Sequence, residues 1–144
     1  MRLLLDTSVL VAAMVEAHPM HASALPWLRR AKEKLDTGLA AAHSIAELYA
    51  ILTTLPVRPR IVPAIAYELI NHDVLDILEV VSLSAEDYIA VIKRLSELGI
   101  SGGATYDALI LQAAAKAGAD QIVTLNESDF RRVAPDLADR IIGP

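Results

Sequence analysis

Leu3-Leu4-Leu5-Asp6-Thr7-Ser8, near the start of the chain, gives the clearest indication of how the protein folds. Three consecutive leucines followed by an acid are typical of a strand that is buried on both faces of a parallel sheet. Thr7 and Ser8 then open an apolar segment that runs to about Val15 and predicts a helix. A buried strand that leads directly into a helix indicates an α/β fold.

The alternation of strands and helices continues along the chain. Further strands are expected at residues 39–42, 79–83, 121–125 and 139–142, and helices at 22–34, 44–55, 64–71, 84–99 and 105–117. This order predicts a three-layer α/β/α architecture with a central, mostly parallel sheet. Because the 144 residues contain no repeat and no linker, we expect a single domain over residues 1–144.

Helical spacing predicts which side chains face the core. The expected buried stripe of helix 84–99 is Tyr88, Val91, Ile92 and Leu95. The expected apolar face of helix 105–117 is Tyr106, Leu109, Ile110, Ala113 and Ala117. Residues 126–129 are polar and predict a turn after the strand that ends at Leu125.

Composition limits the class of protein. The chain is 54% hydrophobic with a mean hydropathy of +0.42, which predicts a well-filled core and an apolar patch for a partner. No apolar run reaches the roughly 18 residues that span a membrane, and Asp6 interrupts the start too early for a signal peptide. With no cysteine there are no disulfides or thiolate metal sites, so a cytoplasmic location is expected.

The charge of the chain restricts how it could bind nucleic acid. A net charge of −5 argues against binding through the overall field but leaves room for a local basic patch. Arg131 and Arg132 follow the last strand-and-turn segment and are candidate phosphate contacts. Aromatic residues make up only 4% of the chain, so base stacking is expected to be limited. His43, which precedes the helix that carries Glu47, is interpreted as a structural residue.

Four acids are candidates for chemistry, and each also has a structural explanation. Asp6 could cap the helix that follows it. Glu47 stands three residues after Ser44, which is the spacing of a capping box. Asp107 lies in the first turn of its helix, where the helix dipole favours an anion, and Asp129 lies in an ordinary turn.

Considered together, these acids indicate a metal site. Asp6, Glu47 and Asp107 lie at strand ends and helix starts, which meet at one edge of an open parallel sheet, and no Lys or Arg neighbours these three acids in sequence. Carboxylates brought together repel unless a cation intervenes. Ligands that are all oxygen suit Mg²⁺ or Mn²⁺, and such a site suits phosphodiester hydrolysis. The candidate ligands are Asp6, Glu47 and Asp107.

The same residues carry a family resemblance that covers nearly the whole chain. Leu4-Leu5-Asp6-Thr7-Ser8-Val9-Leu10 resembles the first motif of PIN domains, and His43-Ser44-Ile45-Ala46-Glu47-Leu48-Tyr49 resembles the second. Thr105-Tyr106-Asp107-Ala108-Leu109-Ile110 is similar to the third, and Val123-Thr124-Leu125-Asn126-Glu127-Ser128-Asp129-Phe130 to the fourth. The length without extra domains is similar to the VapC-type toxins of bacterial toxin–antitoxin pairs.

The resemblance implies an Mg²⁺-dependent endoribonuclease, with RNA as substrate and a cognate antitoxin protein as partner. Asp6, Glu47 and Asp107 carry over as metal-site acids, and Asp129 joins them as a catalytic acid. The supporting residues would be Thr7, Ser8, Thr124 and Asn126. Many members have an acid where Asn126 stands, so we expect one tightly bound metal. A homodimer is also expected, because it is the commonest oligomer and the chain has an apolar surplus.

Two other readings remain. The neutral Asn126 leaves open a PIN-like module that binds RNA or a protein without catalysis. The other alternative is a different doubly wound fold with an Asp at a strand end, but the sequence matches such folds poorly. A receiver domain would need an acid pair after the first strand, and a dehalogenase-like phosphatase would need an Asp where Ser8 stands.

Overall fold

The computed structural model describes all 144 residues, and five strands form one parallel sheet at the centre of the molecule. The strands are β1 (Arg2–Leu5), β2 (Thr37–Ala41), β3 (Glu79–Val81), β4 (Gln121–Val123) and β5 (Ile141–Ile142). Their order across the sheet is β3-β2-β1-β4-β5, and every neighbouring pair is parallel. The strand of consecutive leucines is therefore the central one, as its complete burial requires.

The helices cover both faces of this sheet. They are α1 (Thr7–Met14), α2 (His21–Lys32), α3 (Ala42–Thr54), α4 (Pro63–Ile70), α5 (Ala85–Leu98), α6 (Ala104–Lys116) and α7 (Glu127–Val133). A π-helical segment (Asn71–Leu75) continues α4, and a 3₁₀ segment (Pro135–Arg140) precedes β5. None of these helices is long and apolar enough to cross a membrane.

Two hydrophobic clusters, one on each face, complete the layers. Leu4 packs in the cluster that contains side chains of α5, α6 and α7, while its neighbour Leu5 packs in the cluster formed with α1 to α4. Successive residues of a strand point to opposite faces, so this division follows from the strand itself. The predicted three-layer α/β/α architecture with a parallel sheet is confirmed.

The order of the strands reverses beside β1. The chain passes from β1 to β2 and β3 on one side, then crosses to β4 and β5 on the other. Ligand sites of open parallel sheets lie at the carboxyl ends of the strands beside such a reversal. Asp6 and Thr124 directly follow β1 and β4, and the backbone N–H of Asp6 donates to the carbonyl of Val123 at 3.0 Å.

Three side chains that were predicted to be buried are exposed. On α5 only Val91 and Leu95 of the expected stripe are buried, whereas Tyr88 is 43% and Ile92 51% exposed. The helix meets the core through a narrow strip, so side chains flanking that strip remain in solvent. Tyr106 is 53% exposed because it lies in the first turn of α6, at the rim of the sheet.

Several predicted boundaries also differ from the structure. Residues 126–129 are not simply a turn, because α7 begins at Glu127 and contains Asp129. Strand β4 stops at Val123 because the Thr124 hydroxyl accepts the backbone N–H of Asn126, which turns the chain. Strand β3 ends two residues earlier than predicted, and β5 is limited to residues 141–142 because the 3₁₀ segment holds the residues before it.

Candidate active site

Asp6 is the buried centre of the site, with 3% of its surface exposed. The backbone N–H of Thr7 donates to Oδ1 at 2.7 Å, and the hydroxyls of Ser8 and Thr124 donate to Oδ2 at 2.6 and 2.8 Å. Burial raises the pKa of the Asp6 carboxyl, and these hydrogen bonds oppose the rise by stabilising the ionised form. Donors from both strand ends therefore fix the orientation of the carboxylate.

Glu47 reaches the same place from α3, and Thr7 joins the two acids. The Thr7 hydroxyl makes hydrogen bonds with the Ser44 hydroxyl at 2.8 Å and with Oε1 of Glu47 at 3.1 Å. Ser44 is completely buried inside the first turns of α3, which begins at Ala42. The capping-box explanation of Glu47 is therefore wrong, because Ser44 is not the residue that caps the helix.

Asp107 lies in the first turn of α6, and the other acids affect its pKa. Its pKa is raised to about 6, first by burial and then by the negative charges of Asp6, Asp129 and Glu47. Arg132 is the one nearby cation that opposes the rise. Asp107 thus lies within electrostatic reach of the other three acids singled out from the sequence, and Arg132 only partly offsets their effect.

The donor chemistry of this group fits a hard divalent cation. All four side chains offer carboxylate oxygens, which Mg²⁺ and Mn²⁺ prefer, and after burial the charges of the other three acids contribute to the raised pKa of Asp107. As the side chains are placed, no three His, Cys, Asp or Glu residues converge at coordinating distances. The fit is therefore one of charge and ligand type.

The remaining predicted residues have distinct environments. Arg131 donates to Oε2 of Glu127 at 3.0 Å and to the carbonyl of Ile141 at 2.7 Å, so its guanidinium is engaged within the protein. Arg132 is exposed and makes no hydrogen bond, which leaves it available to a phosphate. Asn126 is exposed at the start of α7, and its role as a substitute for an acid stays a prediction.

One aromatic pair at the rim was missed by the sequence reasoning. The ring of His43 on α3 stacks on the ring of Tyr106 on α6, with centroids 5.1 Å apart and planes inclined by 3°. Nε2 of His43 lies 3.4 Å from Oε1 of Glu47. Two signals in the sequence pointed to this pair. His43 stands four residues before Glu47, on the same side of the helix, and Tyr106 adjoins Asp107.

A cluster of acids at the switch point of a parallel, three-layer sheet defines a recognisable class of α/β protein. The family model described as the PIN domain matches residues 3–135, so the chain belongs to the PIN-domain family. Among curated proteins, ribonuclease VapC27 of Mycobacterium tuberculosis is 34% identical over 114 residues, which cover 79% of this chain and 77% of that protein.

Solved structures share the fold at low sequence identity. VapBC2 from Rickettsia felis, bound to a DNA fragment from its promoter, aligns with a TM-score of 0.69 at 22% identity. The alignment covers 100% of this chain and 99% of that one. VapC20 of Mycobacterium tuberculosis, described as a sarcin–ricin loop cleaving toxin, aligns with a TM-score of 0.65 at 16% identity over 83% and 86% of the two chains. These likenesses show the PIN fold.

Proposed function

We propose that this protein is an Mg²⁺-dependent endoribonuclease that hydrolyses RNA phosphodiester bonds. The observation that carries the proposal is the position of Asp107 near Asp6, Asp129 and Glu47 at the switch point, where burial and then their negative charges raise its pKa to about 6. The relative at 34% identity, which is named a ribonuclease, supports the reaction type.

Some of the site residues would bind the metal ion, and others orient the metal-binding side chains. Asp6, Glu47 and Asp107 would hold Mg²⁺, with Mn²⁺ as the other suitable ion. A divalent ion in such a site supplies an activated water and stabilises the charge on the leaving oxygen. Thr7 keeps Glu47 directed toward Asp6 through its 3.1 Å hydrogen bond, and Thr124 keeps Asp6 in position from the far side.

Three residues of α7 contribute to cation binding or to substrate binding. Asp129 adds negative charge beside Asp107, which raises the affinity of the site for a cation. Arg132, exposed and without a hydrogen bond inside the protein, is placed to contact a phosphate of the substrate. Arg131 also lies on α7, and its contact with a phosphate requires exchange of its bond to Glu127.

We further propose that the ribonuclease is the toxin of a toxin–antitoxin pair, acting in the cytoplasm. The structural likeness to VapBC2 and the names of the curated relatives support this assignment. Large apolar side chains exposed on α4 and α5, among them Ile65, Tyr67 and Ile89, offer surfaces for the antitoxin and for a second copy. A dimeric mass by light scattering is expected, and a monomeric mass at micromolar concentration contradicts the homodimer.

RNA cleavage by the purified protein tests the reaction directly. We expect cleavage in Mg²⁺, its loss in a chelator, and its loss in Asp6→Asn and Asp107→Asn. Glu68→Gln is a matched control, since Glu68 is an exposed acid on α4 that forms no ion pair. If the two site variants cut RNA as fast as the parent and the control, the assignment of the site is wrong.

A non-catalytic PIN-like module is the second candidate. It is favoured by the neutral Asn126 and by the absence of three converging ligands in the structure. Calorimetric titration with Mg²⁺ and Mn²⁺ separates the two candidates. Binding that disappears in Asp107→Asn supports the ribonuclease, and no binding of either ion supports the module.

A further inference from the structure

The stacked pair of His43 and Tyr106 lies beside the acids without a part in the function proposed above. Tyr106 directly precedes Asp107, and His43 contacts Glu47, so the pair adjoins two of the three expected metal ligands. One face of the Tyr106 ring rests on His43. No other ring stacks on Tyr106, although the residue is 53% exposed, whereas the side chain of His43 is only 23% exposed.

An aromatic ring with one supported face and one open face is a platform for another flat group. The support matters because a ring already fixed by a neighbour loses little conformational freedom when a second ring stacks on it. Nucleobases are the flat groups that accompany the phosphodiester substrate of the proposed function, and they stack on exposed aromatic side chains with little regard to sequence.

Resting on the proposed function, we propose that Tyr106, backed by His43, stacks one unpaired nucleobase of the RNA next to the phosphate that is cut. A base within a duplex has both faces covered, so the substrate must be single-stranded or flipped out at that position. The site therefore selects unpaired RNA. The proposal differs from the expectation from composition that stacking is limited, because it requires only one well-placed aromatic pair.

Stacking and phosphate contacts differ in their dependence on salt. Loss of a phosphate contact at Arg132 reduces the slope of affinity against salt, since fewer counterions are released on binding. Loss of stacking at Tyr106 weakens binding but leaves that slope unchanged. The net charge of −5 makes this salt-independent contribution important, because the overall field of the protein repels RNA.

The experiment uses a 12-nucleotide oligouridylate that carries one 2-aminopurine at its centre. Fluorescence of the 2-aminopurine reports stacking, and the anisotropy of a terminal fluorescein reports affinity. Titrations are done in Mg²⁺ with the Asp107→Asn protein, so that the strand is not cut. We expect quenching on binding and, with Tyr106→Leu, loss of quenching with affinity weaker by about 5-fold to 100-fold. Tyr106→Phe and Tyr106→Trp should restore both.

An oligonucleotide with an abasic centre separates stacking from a structural role. If Tyr106 stacks the central base, removal of that base weakens binding by the same factor as Tyr106→Leu, and the two changes together have no further effect. If Tyr106 only positions Asp107 or Glu47, the two effects add. Additive effects, or quenching that survives in Tyr106→Leu, would overturn the proposal.

Tyr88→Leu is the matched control, because Tyr88 is also an exposed tyrosine, 43% accessible. Its neighbour Asp87 accepts a hydrogen bond from Nζ of Lys116 at 2.8 Å. Lys116 lies nine residues beyond Asp107 on α6, which is about 14 Å along the helix axis. The control should bind like the parent. If Tyr106→Leu cleaves RNA as fast as the parent, the stacking proposal is refuted and the ribonuclease proposal stands. If the wild-type protein quenches the fluorescence but does not cleave RNA, the ribonuclease proposal is refuted and the stacking proposal stands.

Discussion

Replacement of Asp107 by Asn should stabilise the metal-free protein while it removes activity. The substitution keeps the shape of the side chain and removes a charge that the folded state disfavours. The pKa of Asp107 is raised from 3.8 to about 6, chiefly by burial and by the neighbouring acids. No hydrogen bond from the protein to this carboxylate is lost, because none is formed.

The size of the effect follows from the shift of the pKa. At about 1.4 kcal/mol per pKa unit, the shift corresponds to at most about 3 kcal/mol of destabilisation when the group is ionised. Asp107 is partly exposed, so solvent screens the interaction and we expect about 1 kcal/mol. The folded-state pKa lies above the unfolded value. The penalty is therefore absent well below pH 3.8, grows between the two pKa values and is complete above about pH 6.

Urea unfolding in a chelator, followed by circular dichroism, measures this difference. At pH 7.5 the midpoint of Asp107→Asn should lie about 0.5 M above that of the parent, and at about pH 3 the two should coincide. Glu68→Gln should change neither midpoint. A variant that is less stable than the parent at pH 7.5, or equally shifted at both pH values, refutes the electrostatic account of the site.

Three further changes test how the fold holds the site. Gly38→Ala should destabilise the protein by about 2 kcal/mol, because the new Cβ would lie 2.6 Å from Cβ of Ala31; thermal unfolding measures it. Asp36→Asn removes the ion pair between Asp36 and Arg30, whose guanidinium lowers the pKa of Asp36. It should cost about 1 kcal/mol at pH 7, and the difference should vanish as the pH falls below 3.8. Thr124→Val removes a donor to buried Asp6 and should cost about 2 kcal/mol in urea unfolding.

Each of these changes has a control. Gly103→Ala places a Cβ in open space at a helical φ of −61° and should be neutral or slightly stabilising. Thr124→Ser keeps the hydroxyl and should retain most of the stability. Asp139→Asn replaces an exposed acid that forms no ion pair and should leave the stability at pH 7 unchanged. Equal stability of Thr124→Val and Thr124→Ser would show that the hydroxyl does not support Asp6.

The sequence was sufficient to predict the parallel sheet and the edge at which the acids meet. Consecutive leucines can be completely buried only at the centre of such a sheet, and an acid directly after them must then lie at a carboxyl end. The hydrogen bonds expected around Asp6 from Ser8 and Thr124 are present for the same reason, since both residues follow strands. These inferences needed only local pattern and topology.

Contacts between distant segments could not be predicted in this way. Spacing placed Tyr106 on an apolar face, but its exposure depends on where α6 crosses the rim of the sheet. Ser44 had the spacing of a cap, yet its burial and its bond to Thr7 depend on the packing of α3 against α1. The stack of His43 on Tyr106 joins residues 63 positions apart: local spacing places each residue beside a site acid, but only the packing of α3 and α6 brings the two rings together.

The rate of RNA cleavage as a function of Mg²⁺ concentration is the most direct test of the account. With a single-stranded RNA in single turnover, the rate of the parent should rise from zero in chelator and saturate with Mg²⁺. Asp107→Asn, folded and at least as stable, should be slower by about 100-fold or more at every Mg²⁺ concentration. Cleavage that is independent of divalent ions, or equal rates for the two proteins, would contradict the assignment of these acids as the metal site of a ribonuclease.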